Sequence, residues 1–215
     1  MGSKQRRERQ RQELRQAILT AARDIAAREG WQAVTIRKVA EAIEYTPPII
    51  YEYFASKEAL LLELLREGFR QVGQLIKTTQ ARGDSPEHVL VQVALAYWRF
   101  AFTSPELYQL MHSLGGVPFG IEETPQEARG AFAAVRETVR AALEARGVQR
   151  PDLNGDVDIL WSLLHGLISL TMTGRIAGGE QRAAALAERA VHDLLTAWVV
   201  EARETAKSGD QPGNR

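Results

Sequence analysis

The side chains best able to bind a metal or carry a proton near neutral pH are the four histidines of the sequence. They are far apart along the chain, at His88, His112, His165 and His192. No HExxH pair and no glycine-rich phosphate loop accompanies them, so the usual patterns of metal-assisted hydrolysis and nucleotide binding are missing. A metal site built from His112, His165 and nearby carboxylates stays open as an alternative. We otherwise expect no catalytic residue, no metal and no cofactor.

The composition narrows the class of protein further. The chain has 215 residues, no cysteine and a formal net charge of zero. Without cysteine there is no disulfide and no thiolate zinc site, which is typical of a reducing compartment. No apolar run approaches the roughly 18 to 20 residues that a membrane helix needs, and the N-terminal residues contain no apolar signal segment. We therefore expect a soluble, cytoplasmic protein with no membrane partner.

Positive charge is concentrated at the N-terminal end. The first 15 residues hold six Lys and Arg against two Asp and Glu. Because residues 1 to about 8 are polar and charged, we expect a disordered or fraying arm there. Such an arm can also reach a DNA backbone or minor groove, and Arg6, Arg7 and Arg9 are the side chains expected to do so.

Residues 34–58, VTIRKVAEAIEYTPPIIYEYFASKE, predict two short helices joined by a tight corner. Thr35 is expected to cap the first of these helices through its hydroxyl. Thr46 is expected to cap the second helix, which begins at Pro47, in the same way. Helices this short cannot bury enough apolar surface alone, so the preceding amphipathic stretch must pack on them. The pattern predicts a three-helix head of the helix-turn-helix type, which reads DNA.

The second of these helices carries more large side chains than one buried face can take. Five of them fall within six positions: Ile49, Ile50, Tyr51, Tyr53 and Phe54. Tyr53 and Phe54 are expected to pack inward, because the helix must be anchored on its neighbours. Some of the others must then point outward.

The head resembles the N-terminal domain of the TetR family of transcriptional regulators. The matching segments, in the right order and spacing, are 17–22 (AILTAA), 30–31 (GW), 35–40 (TIRKVA), 50–54 (IYEYF) and 56–60 (SKEAL). The resemblance implies a regulator, expected to be a repressor, that binds double-stranded operator DNA. The positions that it implies face DNA are Thr35, Arg37, Lys38, Tyr45, Thr46, Pro47, Pro48, Ile49, Tyr51 and Lys57.

Two features depart from the family pattern. Glu44 takes the corner position that the family usually fills with glycine, so it either adopts a left-handed conformation at a cost of about 1 kcal/mol or turns differently. The third helix begins Thr46-Pro47-Pro48, where the family often has a polar or basic residue followed by a small one. Potential donors to phosphate are lost there, so we expect unusual operator contacts on an unchanged fold.

The rest of the chain is expected to be helical, because every gap between its apolar-periodic segments carries helix start or stop signals. The predicted fold is all-α with about nine helices, the first of which runs over about 9–29. We expect a helix-turn-helix head over 1–56, a regulatory and dimerisation domain over 57–206 and a disordered tail over 207–215. The glycine-rich segment 114–123 also carries large apolar side chains, so it either closes over a cavity or plugs the domain surface.

The second domain resembles a TetR subgroup marked by a Trp-His-Gly signature, here Trp161, His165 and Gly166. Trp161 and His165 are one helical turn apart and lie on one face. His165 is expected either to be a satisfied core residue or to line an effector cavity or a subunit seam. Aromatic and sulfur side chains in this region indicate a pocket for a small hydrophobic or amphipathic effector. Its candidate residues are Tyr97, Trp98, Phe102, Tyr108, Met111, His112, Phe119, Trp161 and His165.

The helices predicted near 156–173 and 180–206 carry more apolar residues than one buried stripe needs. A second face is therefore expected to pack against another copy of the chain. A two-fold homodimer would place its two recognition helices roughly 34 to 36 Å apart and would bind a palindromic operator. The alternatives are a DNA-binding regulator or architectural module without effector control, and a helical enzyme or interaction protein.

Overall fold

The computed structural model describes residues 2–112 and 124–209. Within these residues it has nine α-helices, one short 3-10 turn and no strand, so the all-α prediction is confirmed. No described helix has both the length and the apolarity needed to cross a bilayer. The helices are α1 Ser3–Glu29, α2 Ile36–Ala42, α3 Pro47–Tyr51, α4 Lys57–Gln80, α5 Pro86–Thr103, α6 Pro105–Met111, α7 Gln126–Ala145, α8 Leu153–Met172 and α9 Gly179–Gly209.

The described residues pack into two compact units. The first unit takes those of 1–69 and 103–125, and the second takes those of 70–102 and 126–215. α6 packs against α1 within the first unit, whereas α7, α8 and α9 pack on one another in the second. The limits of these packing units therefore differ from the limit at residue 56 that the sequence predicts for the helix-turn-helix head.

α1 begins at Ser3, about two turns before its predicted start near Arg9, so the prediction of a frayed arm is wrong for the described residues. Residues 4–13 consist only of Lys, Gln, Arg and Glu, which are all good helix formers. Arg9 and Glu13 also form an ion pair of 3.6 Å at the favourable spacing of one turn. Polarity alone suggested disorder, but a helix already nucleated by its packed part continues cheaply through such residues.

Within the first unit, Arg23 of α1 ties α6 in place. Its Nη2 and Nε donate to Glu106 Oε1 at 2.8 and 3.1 Å, and its Nη1 donates to Glu67 Oε1 at 3.2 Å. The indole N–H of Trp31 donates to the backbone oxygen of Glu106 at 2.8 Å. These bonds satisfy a buried carboxylate and a buried indole with partners from α1, α4 and α6.

Within the second unit, Arg150 plays a similar part for α8 and α9. Its guanidinium grips the buried Asp156 carboxylate through bonds of 2.9 and 3.0 Å and reaches Glu201 at 2.7 Å. Asp152 caps α8 by accepting the N–H of Gly155 at 2.9 Å, so this helix starts three residues before its predicted position. α9 extends through Gly209 and so includes the first three residues, 207–209, of the predicted tail.

Candidate nucleic-acid interface

The first helix of the helix-turn-helix begins with the predicted cap. Thr35 Oγ1 accepts the backbone N–H of Lys38 at 3.2 Å, so this prediction is confirmed. At the corner, the Tyr45 N–H donates to the Ala40 carbonyl at 2.9 Å. Glu44 adopts the left-handed alternative with a φ of 60°, and it is the one non-glycine residue with positive φ in the described part of the chain. A glycine-type corner is thus kept without glycine.

The predicted hydroxyl cap of α3 is wrong. Thr46 has the extended backbone of an N-cap residue, but its side chain makes no capping hydrogen bond. Pro47 and Pro48 have no N–H to be capped, and the N–H of Ile49 bonds to the Thr46 backbone oxygen at 3.0 Å. With no donor left to satisfy, the exposed Thr46 hydroxyl is not used by the helix.

The large side chains of α3 and of the residues on either side of it are of two kinds, buried and exposed. Ile50 is completely buried and Phe54 is 5% exposed, whereas Tyr53 is half-buried. Tyr51 is 56% exposed, and Tyr45 in the preceding turn is 49% exposed. Tyr51 is therefore the large side chain of this crowded segment that points into solvent.

Pro48 is also exposed, three residues before Tyr51 and on the same side of α3. We refer to Tyr45, Pro48 and Tyr51 as the tyrosine surface. Tyrosine hydroxyls can donate to phosphate oxygens, and a proline ring offers the kind of apolar contact that recognises a thymine methyl. Of the remaining residues predicted on α3, Pro47 and Ile49 are half-buried.

The two basic residues predicted on α2 are both engaged by carboxylates. Arg37 Nε donates to Glu41 Oε1 at 2.8 Å, and Lys38 Nζ donates to Glu29 Oε2 at 2.6 Å. The Lys38 ammonium lowers the pKa of Glu29, so this carboxylate stays ionised at neutral pH. A phosphate must therefore compete with it for Lys38.

These two carboxylates were not identified from the sequence. The Arg37–Glu41 pair has the spacing of one helical turn, which could have revealed it. Glu29 and Lys38 belong to different helices, so only the packing of α1 on α2 brings them together. Lys57 lies half-buried at the first position of α4, where the Ser56 hydroxyl accepts the Ala59 N–H at 3.2 Å.

Five of the candidate effector residues lie in the second unit. Tyr97 is buried and stacks on the half-buried Trp161 with ring centroids 4.5 Å apart. Trp98 is buried against Phe102 at 5.1 Å, and its indole N–H has no hydrogen-bond partner among the described residues. His165 is half-buried, and this burial lowers its pKa, so the imidazole is mostly neutral at pH 7.

The other candidate effector residues are placed differently. Tyr108, Met111 and His112 belong to the first unit, where the rings of Tyr108 and His112 lie 4.6 Å apart. Phe119 and the 114–123 segment lie outside the described residues. The nine candidates are thus divided, and their joint pocket stays a prediction.

Comparison with known families supports the helix-turn-helix geometry. The family model described as "Bacterial regulatory proteins, tetR family" matches residues 18–64, which include the tyrosine surface. A second model, "Tetracyclin repressor-like, C-terminal domain", matches residues 90–194. Together these matches reach across both packing units.

Characterised relatives agree with these matches. The HTH-type transcriptional repressor AcnR of Corynebacterium efficiens is 27% identical over 187 residues, which are 82% of this chain and 92% of AcnR. The HTH-type transcriptional repressor KstR of Mycolicibacterium smegmatis is 34% identical over 86 residues, 40% of each chain. The crystal structure of the TetR family regulator PfmR from Thermus thermophilus shares the fold with a TM-score of 0.62 at 18% identity, covering 83% of this chain and 97% of PfmR. A capped helix-turn-helix, a helical second unit and these matches together show that the chain belongs to the tetR family of bacterial regulatory proteins.

Proposed function

We propose that this chain is a homodimeric, cytoplasmic repressor that binds a palindromic operator and is released by a small hydrophobic or amphipathic effector. It acts by binding rather than by catalysis. The observation that carries the proposal is the tyrosine surface, which a completely buried Ile50 holds outward from α3.

The DNA-binding step rests on donors around that surface. Tyr45, Thr46 and Tyr51 present exposed hydroxyls, and Arg37 and Lys38 present exposed cations at the start of α2. Such groups fix a protein on the phosphate backbone, while Pro48 and the tyrosine rings offer apolar contact to base edges in the major groove. α3 is short and begins with two prolines. Recognition of the base sequence by this helix therefore depends mainly on the shape of the DNA and on contacts with thymine methyl groups.

The dimerisation step rests on an unpartnered face of α8. Ile159, Leu163, Gly166 and Leu170 follow one another at helical spacing on this face. Ile159 is 50% exposed and Leu170 is 40% exposed, and a Cβ added at Gly166 would meet no atom within 4 Å. We call these four residues the α8 stripe, and a second copy of the chain is its proposed partner.

α9 adds to the same kind of surface. Val200 is 50% exposed, and Leu194 is half-buried. The opposite face of α8, with Leu160, Leu164 and Ile168, is already buried within the unit. An apolar face left over after the core is complete is typical of a subunit interface. Two chains joined there would present two copies of α3 to one duplex.

The effector step rests on the aromatic group of the second unit, in line with the resemblance to the Trp-His-Gly subgroup. Trp98 has a buried indole N–H without a partner among the described residues, which is unusual because buried donors are nearly always bonded. A ligand with a hydrogen-bond acceptor and an apolar body would satisfy it. Such a ligand can release DNA only if it binds the two states of the protein with different affinity.

Selection of bound duplexes from a random pool tests the proposal. The full-length protein is expected to enrich a palindrome whose half-sites are centred about 10 base pairs, or a multiple of that, apart. No enrichment, or enrichment of a single unpaired half-site, would contradict it. Adding a library of apolar metabolites to the protein and its selected duplex then identifies the compound that dissociates the complex.

A further inference from the structure

The first turns of α1 extend the buried face of that helix beyond the packed core. Ile18, Ala22 and Ile25 form this face and are buried in the first unit. Continuing the same helical spacing toward the N-terminus, the face is occupied by Lys4, Arg7 and Arg11 rather than by apolar residues. We call these three residues the basic stripe. It spans about 10 Å along the helix axis.

The basic stripe borders a cleft that also contains part of the tyrosine surface. The cleft has a volume of about 810 Å³ and is open to solvent. Arg7 and Arg11 line it from α1, and Tyr45 lines it from the corner before α3. The stripe therefore faces the side of the head that we propose binds DNA.

The basic stripe is not neutralised within the described residues. Lys4, Arg7 and Arg11 are exposed and form no ion pair there, whereas Arg9 is paired with Glu13 and Arg15 is paired with Glu63 at 3.3 Å. Arg7 and Arg11 lie one turn apart, so their like charges repel one another. An anionic partner would relieve this repulsion.

The carboxylates near the cleft do not cancel these charges. Glu13 and Glu52 also line it. Glu13 is engaged by Arg9, and Glu52 is exposed to solvent at the end of α3. A linear polyanion that follows α1 would contact the basic stripe before it approached Glu52.

We propose that the basic stripe binds the phosphodiester backbone of the operator beside the bases contacted by α3. The proposal rests on the proposed function and adds to it a second contact outside the helix-turn-helix. Phosphates of one strand follow each other every 3.4 Å along the duplex axis, so the stripe can reach several of them. The proposal assigns the phosphate contacts of α1 to Lys4, Arg7 and Arg11. Arg6 and Arg9, which the sequence also suggested, lie on the other side of the helix.

Two matched double variants of the full-length protein test this assignment. Arg7→Gln with Arg11→Gln removes two charges of the stripe, and Arg6→Gln with Arg9→Gln removes two charges from the other side of the same helix. Circular dichroism checks that both variants keep their helix content. The probe is the selected operator duplex at salt concentrations from 50 to 200 mM.

The Arg7/Arg11 variant is expected to lower the slope of log affinity against log salt by about 1.8, so its affinity falls about 10-fold less than that of the wild type across this range. The Arg6/Arg9 variant is expected to keep the wild-type slope within about 0.5. Shortening the duplex flanks should weaken the wild type more than the Arg7/Arg11 variant, which keeps only Lys4 of the stripe.

Equal slopes for the two variants, or flank shortening that weakens the wild type and the Arg7/Arg11 variant alike, would overturn the basic stripe while leaving operator binding intact. Failure of the wild type to bind any duplex would overturn the proposed function together with this inference. The two failures are therefore distinguishable in one set of titrations.

Discussion

Both units leave large apolar side chains in solvent, but the side chains are of different kinds. In the first unit they are the tyrosines Tyr45 and Tyr51, whereas in the second they are aliphatic, with Ile159, Leu170 and Val200 each at least 40% exposed. A tyrosine ring carries a hydroxyl that can bond to phosphate or water, and an aliphatic chain has no polar atom. The first surface suits a polar polyanion, and the second suits another apolar surface. The chemistry of exposed apolar residues therefore indicates the partner better than their number does.

The two surfaces are also supported differently. α3 has five residues and one completely buried anchor, Ile50, so neighbouring helices must hold it in place. α8 has 20 residues and buries Val157, Leu160, Leu164 and Ile168 on the face away from its stripe. Substitutions on the exposed side of either helix should therefore alter binding more than folding.

The largest expected effect comes from placing charge on the α8 stripe. Ile159→Asp combined with Leu170→Asp should convert the dimer to a monomer at micromolar concentration, because carboxylates would be desolvated in an apolar seam. Operator affinity should then fall by about 10²- to 10⁴-fold through the loss of bivalent binding. Light scattering and a DNA titration measure the two effects. Asn154→Asp, which adds a charge at an exposed position elsewhere on α8, is the control. A double variant that stays dimeric would show that the α8 stripe is not the subunit interface.

The second expected effect separates DNA binding from assembly. Tyr51→Ala combined with Lys57→Ala should weaken operator binding by at least about 30-fold, since each lost contact is worth about 1 to 3 kcal/mol. The dimer mass should not change. Fluorescence anisotropy of a labelled operator measures the affinity, with Lys77→Ala on the distant end of α4 as the lysine control. Tyr51→Phe then separates the contribution of the hydroxyl from that of the ring. Wild-type affinity in the double variant would show that the tyrosine surface does not bind DNA.

The third prediction concerns the support of the first unit. Arg23→Met should lower the free energy of unfolding by about 1 to 3 kcal/mol, because the part-buried Glu106 carboxylate would lose its charged partner. Adding Glu106→Gln should recover part of the loss by removing the unpaired charge. Urea denaturation measures both variants. A single variant as stable as the wild type would show that this pair does not hold α6 to α1.

The smallest expected effect is a pH dependence in the second unit. Burial lowers the pKa of His165 below that of the unfolded chain, which is about 6.5. The unfolded chain therefore takes up the proton first, so the stabilising contribution is fully present above about pH 6.5 and is lost as the pH falls through the folded pKa. His165→Gln should make stability less dependent on pH below about pH 6.5. Denaturant unfolding at several pH values measures this, with His192→Gln, an exposed histidine of α9, as the control for loss of an imidazole.

Periodicity and capping chemistry predicted much of the fold. α4 and α5 bury apolar residues at helical spacing, from Leu60 to Val72 and from Val89 to Phe100, as expected for the apolar-periodic segments of the chain. The Thr35 cap formed because α2 begins with free N–H groups, whereas the Thr46 cap failed because two prolines removed the donors. The early start of α1 follows from the high helix propensity of residues 4–13, whereas their polar composition alone predicts disorder.

The parts of the site that depend on tertiary contacts could not be predicted from the sequence. The outward direction of Tyr51 follows from crowding on α3, but which residue serves as the anchor depends on how α1, α2 and α3 pack. The Lys38–Glu29 pair spans two helices and is invisible in local spacing. α6 likewise belongs to the first unit because Arg23 bonds to Glu106, which lies far along the chain. These contacts are decided by packing, which no local pattern contains.

The stoichiometry of the complex with the selected duplex shows whether the chain binds its operator as a homodimer. Light scattering of the purified complex, with one duplex that carries the full palindrome, is expected to give the mass of two chains on one DNA. A duplex with one half-site removed should bind much more weakly. One chain bound at full affinity to either duplex, or no complex at low salt, would contradict operator binding by a homodimer.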